Sequence, residues 1–175
     1  MPQYDEKTAE CLVFTFKDGL LSKLAHDLKI RVSRFSVNVT PNPPAVSAEF
    51  DAQSLRVINA VKDGEEDPSA LSDSDKEKIS GQIIDDVLHA KQHKTVTFTS
   101  REVTKNNEGG YNIKGELSLH GVKHPINAST HLSDGRQVVE VEINQPDFDI
   151  VPFKAMMGTL KVKPEVRVRL SIPNT

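Results

Sequence analysis

The sequence predicts an all-β fold: a single antiparallel β-barrel of about eight strands with one helix inserted at about residues 73–90. Three observations carry this. Stretch after stretch alternates apolar and polar residues with a period of two, as in 111–119, where Tyr111, Ile113, Gly115, Leu117 and Leu119 share one face and Asn112, Lys114, Glu116 and Ser118 the other. Short glycine-bearing turns, Glu108-Gly109-Gly110 and Ser133-Asp134-Gly135, separate such stretches, so neighbouring strands pair as antiparallel hairpins. One segment only repeats at helical spacing. The 175 residues fit a single domain spanning 1–175 and are too few for two domains with separate chemistry.

In the first strand Leu12, Phe14 and Phe16 share one face and Cys11, Val13 and Thr15 the other, until Asp18-Gly19 ends it. The face with the larger side chains is assigned to the interior. Leu28, Ile30 and Val32 follow on the next strand, and the phase then slips by one residue to Phe35, Val37 and Val39. That slip predicts a bulge or bend near Ser33-Arg34. Pro41, Pro43 and Pro44 predict a connection that is neither helical nor paired in a sheet. Val46, Ala48, Phe50 and Ala52 resume the alternation.

An acidic loop around Asp63–Pro68 leads to the helix. Ser72 reads as its N-cap and Asp75 as the acid of a capping box. Ile79, Ile83, Ile84, Val87 and Leu88 recur at helical spacing, with Lys76, Glu77, Lys78 and Asp85 outside. Gly81 costs this helix about 1 kcal/mol of propensity. Strands return near 95–103, 111–119, 125–133 (opened by Pro125), 136–143 and 164–172. Lys161, Lys163, Arg167 and Arg169 occupy odd positions against Val162, Val166, Val168 and Leu170, the wet face of a strand rather than a phosphate-binding patch.

A net charge of -3 and a pI near 6.1 give no electrostatic case for nucleic acid. No apolar run approaches the roughly 20 residues of a membrane span, so no stable membrane insertion is expected. The opening MPQYDEKTAE lacks a basic start and an apolar core, unlike a secretory signal. Cys11 is the single cysteine, which excludes an internal disulfide and fits a reducing compartment. A cytoplasmic location is expected, or a periplasmic one if a signal peptide has been removed.

Six histidines invite a metal reading. His89 and His93 are four apart, as are His120 and His124, and His26 precedes Asp27. The first pair straddles the helix end, however, and the second flanks a turn, with no His-Glu-x-x-His pattern. Surface or turn-stabilising roles are expected instead, with no metal, and His120 bonding backbone in its tight turn. Ser22, Ser54 and Ser100 lie in no nucleophile elbow. Asp85-Asp86 and Asp147/Asp149 sit at element ends as solvated carboxylates, and Gly109-Gly110 is a hairpin turn. No catalytic residue and no enzyme activity are expected.

Two stretches, DDVLHAKQHKTVTFTS at 85–100 and YNIKGELSLHGVKHPI at 111–126, resemble the YceI family of lipocalin-like barrels. The likeness lies in an acidic-apolar helix end, a strand carrying Phe98 and Ser100, and Gly115-x-Leu117-x-Leu119-His120-Gly121-Val122. SAEFDAQSL at 47–55 and the terminal PDFDIVPFKAMMGTLKVKPEVRVRLSI extend it. The beginning departs: GLLSKLAHDLKI stands where the family opens with histidine-bearing elements, and GEEDPSALSDSDKEK replaces an Arg-Asp-x-x-Leu loop.

The resemblance implies binding, storage or transport of a long-chain isoprenoid, quinone-like or long acyl lipid inside the barrel, with no other cofactor. By position it assigns Phe98, Leu117, Leu119, Phe148 and Ile150 to the lining. Periodicity adds Phe14, Phe16 and Phe50, and Met156-Met157 reads as a flexible apolar lip. Lys154 or His26 would meet a polar head group. The alternative is a filled barrel acting as a stress-response or protein-interaction scaffold, a homodimer through an exposed sheet face being open. A histidine-dependent metalloenzyme ranks last.

Overall fold

In a computed structural model the chain is described over residues 2–18, 26–155 and 160–174. Its elements are β1 Gln3–Asp5, β2 Glu10–Thr15, β3 Asp27–Val32, β4 Phe35–Pro41, β5 Pro44–Asp51, β6 Leu55–Lys62, β7 Glu65–Asp67, α1 Asp73–Gln82, β8 Thr95–Lys105, β9 Tyr111–Leu119, β10 Val122–Ser133, β11 Arg136–Asn144, β12 Lys154–Ala155, β13 Leu160–Lys161 and β14 Glu165–Pro173. Among the described residues twelve strands form one curled antiparallel sheet, ordered β1-β4-β5-β8-β9-β10-β11-β14-β2-β3-β6-β7, and β12 pairs with β13 apart from it. The predicted class holds, an antiparallel barrel with one helix, but the strands exceed about eight. β1, β7, β12 and β13 are two or three residues long, too short for a period of two to register. β6 escapes for another reason. Lys29 pairs with Asn59 but Ile30 with Val57, so Ile58 is an inserted residue that breaks the alternation.

The predicted bend at Ser33-Arg34 is a corner between β3 and β4, where the chain passes from one half of the sheet to the other. Two proline readings change. Pro41 and Pro44 face each other as the last pair of a tight β4–β5 hairpin, at strand ends where a missing N–H is tolerated. Pro125 lies inside β10, which begins at Val122. β10 pairs with β9 over Val122–Ser129 and with β11 only over Thr130–Ser133. Pro125 opposes Glu116 on one side, and its other side meets no strand. The gap this leaves between β10 and β11 is plugged by a 3₁₀ turn, Gln145–Phe148, whose Phe148 is 1% exposed and packs against Ile126 and Ile143.

α1 packs on β6, near one end of the sheet order. Its capping box forms as predicted: Asp75 N–H donates to Ser72 Oγ at 3.1 Å and Ser72 N–H to Asp75 Oδ2 at 3.1 Å. The helix is regular only to Gln82, short of the predicted residue 90. Leu88 N–H then reaches back to Ile83 O at 2.9 Å and Ala90 N–H to Ile84 O at 2.9 Å, a widened turn that stacks Leu88 on Ile83. Ser80 Oγ anchors α1 by accepting from Val57 N–H at 2.9 Å, beside the β6 bulge.

One end of the barrel is closed by polar groups. Gln137 of β11 is 8% exposed. Its Oε1 accepts from Thr130 Oγ1 at 2.7 Å, and its Nε2 donates to Gly109 O at 2.9 Å and Asn174 Oδ1 at 3.0 Å. Thr130 Oγ1 in turn accepts from Tyr111 N–H, while Asn106 Nδ2 donates to Thr130 O, both at 2.9 Å. Each buried group therefore has its partner, the condition under which a buried polar network rigidifies rather than destabilises.

Candidate functional site

Toward the other end the curled sheet and α1 enclose an apolar hollow of about 660 Å³. Its walls come from β2 (Cys11, Val13, Thr15), β3 (Leu28, Ile30, Val32), β9 (Leu117, Leu119), β14 (Val166, Val168) and the α1 region (Ile79, Ile83, Leu88). The strands contribute through alternation, each turning every second residue inward. At the mouth, Phe153, Ala155 and Leu160 of the β12–β13 hairpin border the space together with Lys161. The hairpin is tied to the end of β2: Lys163 N–H donates to Phe16 O at 2.8 Å and Asp18 N–H to Lys161 O at 2.9 Å. Polar side chains of the lining, His26, Asp75, Lys78, Gln82 and Gln145 among them, are few beside the apolar ones.

Of the sequence-assigned lining, Phe50, Leu117, Leu119 and Ile150 border the hollow. Phe98 and Phe148 do not. Phe98 lies on Gly115, where a Cβ would strike its ring, and Phe148 is the plug between β10 and β11. The room beside Gly115 is thus taken by Phe98.

Phe14 and Phe16 require a correction. Phe14 is in register with Arg167 and Lys29, and the Arg167 guanidinium lies 5.6 Å from the centre of the Phe16 ring. They stand on the outer face, and Cys11, Val13 and Thr15 face in. The outer phenyls are half-buried under neighbouring basic side chains, a setting where aliphatic stems and cation–π contact make large apolar groups tolerable. Met156 and Met157 lie outside the described residues.

Sequence reasoning left several wall residues unassigned. Val13, Val166 and Val168 carried a signal, since each alternates with the residues that prove to face outward. Ile79, Ile83 and Leu88 were read as the helix's core face, and that face is also a wall of the hollow.

Cys11 is 1% exposed. Burial first, and the neighbouring Glu10 charge second, push its thiol up to about 12. It is an inert, space-filling wall group rather than a nucleophile.

Three of the six histidines, His89, His93 and His120, converge at the hairpin turn between β9 and β10. His120, at φ 55°, has Nδ1 3.1 Å from Phe148 O, which can only accept, so Nδ1 carries the proton. Nε2 then accepts from His89 Nδ1–H at 3.0 Å, and the His93 ring lies 4.6 Å from that of His120. The backbone contact expected for His120 is present, reaching Phe148 rather than the turn itself. The His89 and His120 ring centres are 5.2 Å apart, so the two nitrogens meet nearly end to end. Among the described residues no three His, Cys, Asp or Glu gather as metal ligands.

Comparison with known proteins places these features in context. The YceI-like domain matches residues 13–173. UPF0312 proteins from two strains of Vibrio vulnificus are 38% identical over 69 residues, 39% of this chain and 34% of theirs, so the match spans about a third of those relatives. BcnA of Burkholderia cenocepacia has a TM-score of 0.65 at 15% identity, covering 95% of this chain and 96% of that one. A polyisoprenoid binding domain from Saccharophagus degradans scores 0.58 at 13% identity, covering 94% and 91%. The Campylobacter jejuni YCEI protein scores 0.52 at 14% identity, covering 83% and 84%. At such identities the likeness is one of fold.

Proposed function

This chain belongs to the YceI-like domain family, and from that premise we propose that it binds a long apolar chain, an isoprenoid or acyl lipid, in its hollow for storage or transport. The observation that carries the reading is the hollow itself: about 660 Å³ of apolar-walled space open at one end. A barrel packed solid as a scaffold would have none, and the Saccharophagus relative is described as polyisoprenoid-binding.

Taking a methylene as about the ~30 Å³ share of a water molecule, the space accepts roughly 20 carbon atoms. That is about four isoprene units or one long acyl chain. At about 0.3 kcal/mol per atom such a ligand gains about 6 kcal/mol without polar recognition. Selection in this reading is by length and girth. Phe50, Leu117, Leu119 and Ile150 touch the chain together with Val13, Ile30, Val168 and Ile83, and His26 or Lys161 meets a polar end at the mouth, whereas Lys154, the other residue the sequence suggested for that role, stands outside the lining.

The test is purification without detergent, solvent extraction and mass spectrometry. A stoichiometric isoprenoid or acyl chain is expected. A clean extract that stays clean after incubation with geranylgeranyl and long-chain acyl compounds sinks the proposal.

A further inference from the structure

Charge around the mouth is distributed in a way that ligand binding inside the hollow does not use. Phe153, Ala155, Leu160 and Val162 of the β12–β13 hairpin line the apolar space. Between them stand Lys154, Lys161 and Lys163, and Lys17 is bridged to Val162 at the end of β2. Lys154 and Lys161 are opposite each other across the hairpin. All four lysines are exposed. Among the described residues none of them joins an ion pair. Carboxylates flank the lysine-bearing segments: Asp149 two residues before Val151, Asp18 after Lys17, Glu165 two residues after Lys163, and Asp27, whose Oδ1 accepts from the Lys17 backbone N–H at 2.7 Å.

A lysine cluster on a chain of net charge -3 runs against the average field of the molecule. Beside it, two residues before Phe153, Val151 is 72% exposed, one of two large hydrophobics so placed among the described residues. An apolar side chain flanked by lysines around the opening of an apolar hollow matches one kind of surface: an anionic lipid bilayer, whose phosphates attract lysines and whose acyl boundary accepts valine.

We propose that Val151, Lys154, Lys161 and Lys163, with Lys17, dock the mouth on an anionic membrane surface, so that a ligand passes between bilayer and hollow without crossing water. The proposal rests on the reading of the hollow as a lipid site and names the partner from which that site is loaded. Docking is peripheral and salt-sensitive: no helix of the described residues is long and apolar enough to cross a membrane, and exposed charges are screened within about 8–10 Å at physiological salt.

The experiment is flotation of the full chain with phosphatidylcholine vesicles, with and without phosphatidylglycerol, at low and high salt. In parallel, uptake of a fluorescent long-chain acyl probe is measured in solution without vesicles. The chain should float with the anionic vesicles only, and less at high salt. The triple variant Lys17→Gln/Lys154→Gln/Lys163→Gln should partition about 100-fold less, roughly fivefold per lysine. Its probe uptake and melting temperature should be unchanged, since none of the three side chains lines the hollow. Val151→Ser, a second surface variant, should weaken flotation by about the same factor at low and high salt, since it removes apolar contact and no charge. Docking is overturned if the wild type stays in the aqueous fraction with anionic vesicles, or if the triple variant floats as well as the wild type. A wild type that floats but takes up no probe supports docking and rejects the lipid reading of the hollow, so the two failures are distinct.

Discussion

At the Gln137 end of the barrel, Thr130, Asn106, Asn174 and the Gly109 carbonyl satisfy one another across turns and strands. At the other end, Val13, Leu119, Val168 and Phe153 face a space in which they have no such partners. β9 and β11 run through both regions, so strand composition alone does not separate them. What separates them is whether inward groups can pair with one another: polar groups with matched partners close the structure, and apolar groups held apart by a helix leave it open. Closure is therefore a stability property and openness a binding property, and substitutions at the two ends should have opposite effects on the two.

The largest expected effect lies at the boundary, where Cys11 is the innermost wall residue of β2. Its folded value of about 12 stands above the ordinary 9.0. The native state thus holds a proton that the unfolded chain loses first. The associated stabilisation, about 4 kcal/mol, is intact below about pH 9 and is lost as pH rises to about 12. In denaturant titrations the stability of wild type over Cys11→Ala should shrink across that window, and a constant gap would refute the account. Gln137→Leu comes next. It orphans the Thr130 hydroxyl and the Gly109 carbonyl and should cost about 2–3 kcal/mol by urea unfolding, with probe uptake unchanged.

Val13→Trp tests the converse. It fills space rather than removing partners, so stability should move by less than about 1.5 kcal/mol while acyl-probe affinity falls at least tenfold by fluorescence titration. If Val13→Trp unfolds the protein and Gln137→Leu abolishes uptake, the division between the two ends is wrong. The smallest effect is expected at the turn. His120→Gly keeps the left-handed backbone and loses the bonds to Phe148 and His89, so about 1 kcal/mol should be lost in thermal melts.

Much of this architecture was readable from local pattern. The capping box at Ser72 and Asp75, the hairpin turns and the long strands β8, β9 and β11 follow from short-range chemistry that tertiary context did not override. The failures share a cause. On β2 both faces are apolar, so a period of two finds the strand and leaves its inward side undetermined. The interior went to Cys11, Val13 and Thr15 because register with Arg167 and Lys29 holds Phe14 and Phe16 outside. β6 was hidden by one inserted residue. The open half of the interior was illegible because its volume depends on how far α1 stands from the sheet, a distance that no spacing of apolar residues encodes.

The seam between β10 and β11 bears on solubility. From Val122 to Ser129 one side of β10 has no neighbouring strand among the described residues, only the Gln145–Phe148 turn, and a strand edge without a strand partner is a template on which further copies of a chain can assemble. Pro125 offers no N–H there, and its carbonyl accepts from His124 Nδ1–H at 2.9 Å. With donor absent and acceptor occupied at one rung, an incoming strand would lose that rung of its ladder, which disfavours fibrous growth at that seam.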